Sequence, residues 1–168
     1  GAGTATPFGI GPAEVSSVTW GDLDRDGVLD LVTTAGMTGP ELDLVYSWDG
    51  TTLINGTALS TGAGVSWSSA WGDVDNDGQA DLAIATDTGY ELHTSFGNAL
   101  TINPFANNPV FDLEFGDCDE DGILELAYGG SGQTRVDVPD GSTNHASFNH
   151  TGSARRLAWG DFDTDGDV

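Results

Sequence analysis

Four short segments of this chain repeat one pattern, and that pattern constrains the fold more than any other feature. They read WGDLDRDGVLDL from Trp20 to Leu31, WGDVDNDGQADL from Trp71 to Leu82, FGDCDEDGILEL from Phe115 to Leu126, and WGDFDTDGDV from Trp159 to Val168. Their first aspartates, Asp22, Asp73, Asp117 and Asp161, are separated by 51, 44 and 44 residues. A period of this size marks an array of supersecondary units, each of which buries its apolar face against a neighbour. The match runs through an aromatic, two glycines, apolar positions and three or four acids, which chance does not produce.

Each unit reads as short strands. Ahead of the clusters lie SVTW, SSAW, DLEF and RLAW, with the partial alternation of a half-buried strand. Behind them come DLVTTAG, DLAIATDTG and ELAYGG, then third strands in LDLVYSW, ELHTSF and RVDV. Asp49-Gly50, Gly97-Asn98 and Asp140-Gly141 are turn signals, and fourth strands fit TTLING, ALTINPF and STNHASF. No window holds a 3.6-residue apolar period, and 25 glycines disfavour helices. The expected fold is therefore all-β, with blades of four antiparallel strands as in a β-propeller. Residues 1–12, containing TPFGIGP, would close a preceding blade. Residues 13–63, 64–107 and 108–152 would be complete blades, and 153–168 the start of a fourth. Three complete repeats and two partial ones suggest a segment of a longer chain.

The acids within each cluster share one spacing. Counted from the first aspartate, carboxylates stand at positions 1, 3, 5 and 9, with glycine at 6. These are Asp22, Asp24, Asp26 and Asp30 in the first loop, and Asp73, Asp75, Asp77 and Asp81 in the second. The third has Asp117, Asp119, Asp121 and Glu125, and the fourth has Asp161, Asp163 and Asp165. Bare, such groups repel one another; a hard cation relieves the repulsion, and oxygen-only ligands at loop spacing select Ca²⁺. The glycine permits a sharp turn, which would aim the carbonyl of position 7 (Val28, Gln79 or Ile123) at the ion. An EF-hand needs a bidentate Glu at position 12, where this chain has Thr33, Ile84 and Tyr128, and it needs flanking helices.

The pattern resembles the FG-GAP/VCBS-type calcium repeat of integrin-like β-propellers. That resemblance implies one Ca²⁺ in the loop between the first two strands of each blade. It implies about three ions in all, with a fourth if the last loop is completed. Glu125 in place of Asp implies altered geometry in the third loop. The family usually closes seven blades, about twice what this chain holds.

The remaining residues offer little other chemistry. Lys+Arg total 4 against 27 acids, a net charge of −23, so nucleic acid and anionic membranes are poor partners. No apolar run is long enough for a membrane-spanning helix. Cys118 stands alone, so no intrachain disulfide can form, and its place at loop position 2, with Leu23, Val74 and Phe162, reads as packing. Trp20, Trp71, Phe115 and Trp159 recur at one position and read as blade-packing residues. His93, His145 and His150 are scattered and read as surface or hydrogen-bonding groups. Asn55-Gly56-Thr57 and Asn149-His150-Thr151 are sequons at a frequency chance explains.

These readings point to a non-catalytic, extracellular or cell-surface module, stabilised by calcium, with a structural or adhesive role. Expected partners are proteins, glycans or copies of itself, by ring closure or head-to-tail assembly into a filament. The alternatives are the scaffold propeller of a secreted hydrolase or polysaccharide lyase, and a ligand-binding receptor head.

Overall fold

The computed structural model describes residues 15–36, 42–54, 56–59, 64–95, 98–102, 108–137 and 148–161. These form three four-stranded antiparallel sheets and no helix, each sheet following chain order. The first holds β1 (Val15–Gly21), β2 (Asp30–Ala35), β3 (Leu44–Tyr46) and β4 (Thr57–Ala58). The second holds β5 (Ser66–Gly72), β6 (Asp81–Thr86), β7 (Gly89–Ser95) and β8 (Asn98–Ile102). The third holds β9 (Val110–Gly116), β10 (Glu125–Gly130), β11 (Gln133–Asp137) and β12 (Phe148–Thr151). Each is a blade of the β-propeller type, and the acidic loops join its first two strands.

The sheets stack face to face, and β6 shows why. Side chains alternate across a strand. Leu82 and Ile84 enter one core with Val32, Val45 and Leu59 of the first sheet. Ala83 and Ala85 enter a second core with Val110, Leu113, Leu126 and Tyr128 of the third. The middle sheet is thus covered on both faces, and every residue of β2, β6 and β10 is buried.

Two details recur at each sheet-to-sheet contact. One is a β-bulge near the start of the first strand, which leaves Ser16, Trp67 and Phe111 as the extra residues. These bulges touch across the stack: Ser16 Oγ donates to Ser66 O at 2.5 Å, and the Trp67 and Phe111 rings meet edge to face at 5.3 Å. The guanidinium of Arg155, five residues before Gly160 as Phe111 is before Gly116, lies 4.5 Å above the Phe111 ring.

The other detail is a glycine seat. A Cβ on Gly21 would lie 2.3 Å from the Trp71 ring, on Gly72 2.6 Å from Phe115, and on Gly116 2.8 Å from Trp159. The glycine before each loop is there because the next unit's aromatic rests on its Cα. Trp71, Phe115 and Trp159 are therefore packing residues, as their recurrence at one position predicts, whereas Trp20, at the same position of the first unit, is 52% exposed.

Some strands depart from the expected positions. In the first sheet the return arm begins as an isolated Trp48↔Leu53 bridge and reaches ladder pairing only at Thr57–Ala58, so β4 lies beyond TTLING. In the third sheet β12 spans Phe148–Thr151, past the end of STNHASF, whose residues 142–147 lie outside the described residues. Arg156–Trp159, expected as a strand, forms no ladder among the described residues. It packs on β9 instead, with Leu157 N donating to Asp112 Oδ2 at 2.7 Å and Trp159 Nε1 to Glu114 O at 3.2 Å. Residues 1–12 and the Asp140-Gly141 turn lie outside the described residues.

Overfilling a tight packing site costs about 1–3 kcal/mol. Gly72→Ala is therefore expected to lower unfolding stability by that amount in urea titrations. Gly160→Ala, where an added Cβ meets nothing within 4 Å, should change it by less than about 0.5 kcal/mol.

Candidate metal centre

The three described loops are built by one set of bonds. In the first, Asp22 accepts from the N–H groups of Asp26 (3.0 Å) and Gly27 (2.8 Å), and Asp24 from that of Asp26 (3.2 Å). Asp26 accepts from Val28 N at 2.8 Å, and Asp30 from Leu23 N at 3.1 Å. Asp73, Asp75, Asp77 and Asp81 repeat these bonds in the second loop. Asp117, Asp119, Asp121 and Glu125 repeat them in the third. Glu125, although longer by one methylene, bonds Cys118 N at 2.8 Å as the aspartates bond their own position 2. Two left-handed residues coil each loop. Position 6 is glycine, with φ of 84° to 85°. Position 4 is Arg25, Asn76 or Glu120, with φ of 66°, 56° and 56°. The pattern of acids does not announce this second left-handed position; Asn76 alone carries a residue type that favours it.

This scaffold converges the acids of positions 1, 3 and 9. One oxygen from each of Asp22, Asp24 and Asp30 lies within 4.8 Å of the others, and so it is for Asp73, Asp75 and Asp81, and for Asp117, Asp119 and Glu125. The position 5 acids Asp26, Asp77 and Asp121 stand outside these groups, each accepting from the N–H of position 7, that of Val28, Gln79 or Ile123. Asp161 is described and exposed, whereas Asp163 and Asp165 lie outside the described residues.

The position 9 acids are the buried members, Asp30 at 2%, Asp81 at 1% and Glu125 at 0% exposure. One oxygen of each is held by the position 2 N–H. The other oxygen of Asp81 and of Glu125 is buried and accepts no hydrogen bond. Two carboxylates 4.8 Å apart repel by about 3 kcal/mol at an effective dielectric constant near 20. Burial, followed by the charges of Asp75, Asp77 and Asp73, raises the Asp81 carboxyl to about 6 against the Val74 N–H that lowers it. Burial and the charges of Asp30, Asp26 and Asp22 raise Asp24 in the same way. A donor set of oxygens only, with a buried carboxylate oxygen lacking a proton donor, fits a hard divalent cation.

Position 4 also links one loop to the next. Arg25 pairs with Asp77 Oδ2 at 2.9 Å, donates to Thr94 O at 2.8 Å, and lies 4.0 Å from Asp81 Oδ1. Asn76 Nδ2 donates to Gly122 O at 3.3 Å. These contacts are not foreseeable from spacing, since they depend on how the blades stack.

Other candidate groups find structural places. Burial, the hydrogen bond to Glu125 and its charge push the Cys118 thiol up to about 11, so it stays protonated and half-buried. His93 is not a surface residue: it is 2% exposed on β7, with Nε2 3.5 Å from Glu91 Oε2. His150 is exposed, and His145 lies outside the described residues. An open cleft of about 370 Å³ between β5, β9 and residues 156–157 is lined by Asp112, Glu114 and Arg156, with no His or Cys.

Residues 65–102 match the family model for the FG-GAP repeat. That segment contains β5 to β8 with the second loop, the unit whose bonds the first and third loops reproduce. No curated protein and no solved structure matched the chain.

With metal chelated, folded Asp81 keeps its proton to about 6, whereas the unfolded chain releases it near 3.8. The folded state then binds more protons, so this group's contribution is intact below about pH 4 and declines as pH rises to about 6. The melting temperature of the metal-free protein should fall across that interval, and Asp81→Asn should flatten the slope.

Proposed function

We propose that this FG-GAP-type repeat protein is a non-catalytic, extracellular module whose blades are stabilised by calcium and whose role is structural or adhesive. One observation carries the reading. The same three-carboxylate convergence recurs in three blades at one register, joined to the strands that build the fold. Catalysis needs one distinctive site, whereas a site that recurs with the architecture serves the architecture.

The residues divide the work. Asp22, Asp24 and Asp30, and their counterparts Asp73, Asp75, Asp81 and Asp117, Asp119, Glu125, would hold the ion. Asp26, Asp77 and Asp121 shape the turn, and Val28, Gln79 and Ile123 offer backbone carbonyls. Bound Ca²⁺ would cancel the repulsion within each cluster. It would also neutralise a buried carboxylate that otherwise protonates, tying the first strand of a blade to its second. Three ions would add about +6 to the chain's −23. Extracellular calcium modules work at dissociation constants of about 10⁻⁴ to 10⁻³ M, which suits flexible loops with this ligand set. A stack of rigid sheets so stabilised offers a fixed surface to protein or glycan partners.

Titration calorimetry on the metal-free chain is expected to show at least three calcium equivalents. Ten-fold excess over the dissociation constant adds about 1.4 kcal/mol per site, so the melting temperature should rise by several degrees. Asp75→Asn combined with Asp81→Asn should remove one equivalent and leave the others. An unchanged melting temperature and no heat of binding at millimolar calcium would defeat the proposal.

A further inference from the structure

Two of the loops reach the loop that follows them through position 4, and they bring different chemistry to it. Arg25 pairs through Nη1 with Asp77 Oδ2 at 2.9 Å, and its Nη2 donates to Thr94 O at 2.8 Å and lies 4.0 Å from Asp81 Oδ1. That last oxygen is the buried one that accepts no hydrogen bond, on the acid that converges with Asp73 and Asp75. The guanidinium side chain is 30% exposed and tied at two points, so its charge is fixed beside the second cluster. Asn76, at the same position of the second loop and also left-handed, donates instead to Gly122 O at 3.3 Å and brings no charge to the third cluster. Two clusters of one build thus stand beside a cation in one case and a neutral amide in the other.

We propose that Arg25 is an affinity-setting residue for the second calcium site, lent by the first loop, which weakens binding at Asp73, Asp75 and Asp81 about 10-fold. The proposal rests on the calcium reading above. Calcium loops tune their affinity by the charge of their ligands, and Arg25 acts on that charge twice. Without the ion it gives the buried Asp81 carboxylate a partial counter-charge, so less is gained when calcium arrives. With the ion it adds repulsion: a divalent and a monovalent cation about 6 Å apart, even at the dielectric constant of water, shift an equilibrium about 10-fold. Both effects run toward weaker binding. The guanidinium cannot relieve them by losing its proton, and having donors only it cannot become a ligand. The second site is thereby set to fill at a higher calcium concentration than its own residues would require.

The test is a calcium titration of the 168-residue chain followed by two-dimensional ¹H–¹⁵N spectra. The N–H groups of Gly78 and Gly122, bonded to Asp73 and Asp117 at 2.8 and 3.0 Å, report the second and third sites separately. Arg25→Asn installs the residue that the second loop carries at the same left-handed position, so the sheet circular dichroism should be preserved. It should lower the calcium midpoint at Gly78 about 10-fold and leave that at Gly122 within about 2-fold. Arg25→Gln, closer in length, should act as Arg25→Asn does, whereas Arg25→Lys keeps the charge and should keep the wild-type midpoint. In about 1 M salt, where charges are screened beyond about 3 Å, the gap between wild type and Arg25→Asn should shrink below about 3-fold. A Gly78 midpoint that the neutral variants leave unmoved, or raise, would overturn the proposal. So would a gap that persists in salt, or an Arg25→Lys variant that matches Arg25→Asn, since either would assign the effect to loop shape. If neither glycine responds at millimolar calcium, the calcium reading falls and this proposal with it. If Gly122 responds and Gly78 is indifferent to residue 25, this proposal alone falls.

Discussion

The acidic loops and the blade packing meet at a single cross-strand pair. The last acid of each loop is the first residue of the second strand, and its ladder partner is the seat glycine: Gly21 with Asp30, Gly72 with Asp81, Gly116 with Glu125. One side of that pair has no side chain, because the next unit's aromatic lies against it. The other side carries a buried carboxylate whose charge needs a counterpart. Whatever fixes the acid also fixes the strand end on which the neighbouring sheet rests. A buried carboxylate is costly unless its oxygens are engaged, so the loops cannot be exchanged for neutral turns without disturbing the stacking.

Much of this was legible in the residues and some was not. The period, the loop acids and the first two strands of each blade follow from WGDxDxDG and the apolar run behind it, because spacing there reflects a structural repeat. The outer strand of the first sheet was harder to place. β4 is at a sheet edge, where one neighbour fixes the register and little side-chain pattern is required, so turn geometry decides where pairing resumes. The Trp48↔Leu53 bridge shows this, taking up residues that read as strand before the ladder proper begins. Of the two places open to His93, surface or polar contact, a lone histidine carries no signal to choose; it sits inside through the alternation of β7, beside Glu91. The glycine ahead of each loop was visible as a letter, but its reason is a tertiary contact with a residue some 43 to 50 positions away.

The equivalence of the blades is close but incomplete, and the differences are chemical. Glu125 reaches the same N–H as the aspartates by adapting its longer chain, so position 9 tolerates either acid if one oxygen finds position 2. The indole of Trp159 bonds the Glu114 carbonyl, while that of Trp71, on the same kind of seat, is buried without an acceptor. Ring burial, common to both, therefore holds the aromatic in place, and the indole hydrogen bond is secondary. The first interface also carries Asp43, whose carboxyl is raised chiefly by burial and held by Ala35 N and Ser66 Oγ. This polar inclusion distinguishes it from the second interface, where Tyr90 and Tyr128 pack ring to ring at 5.2 Å.

The reach of Arg25 to the second loop and of Asn76 to the third makes the three turns a laced rim along one edge of the stack. Separating two neighbouring blades from that edge must break a lace before any core residue meets water. At the far edge of the first sheet, β4 is only two residues long and carries no such lace among the described residues. Mechanical or thermal fraying should therefore begin at that margin and travel inward, with the rim acting as the hinge that opens last.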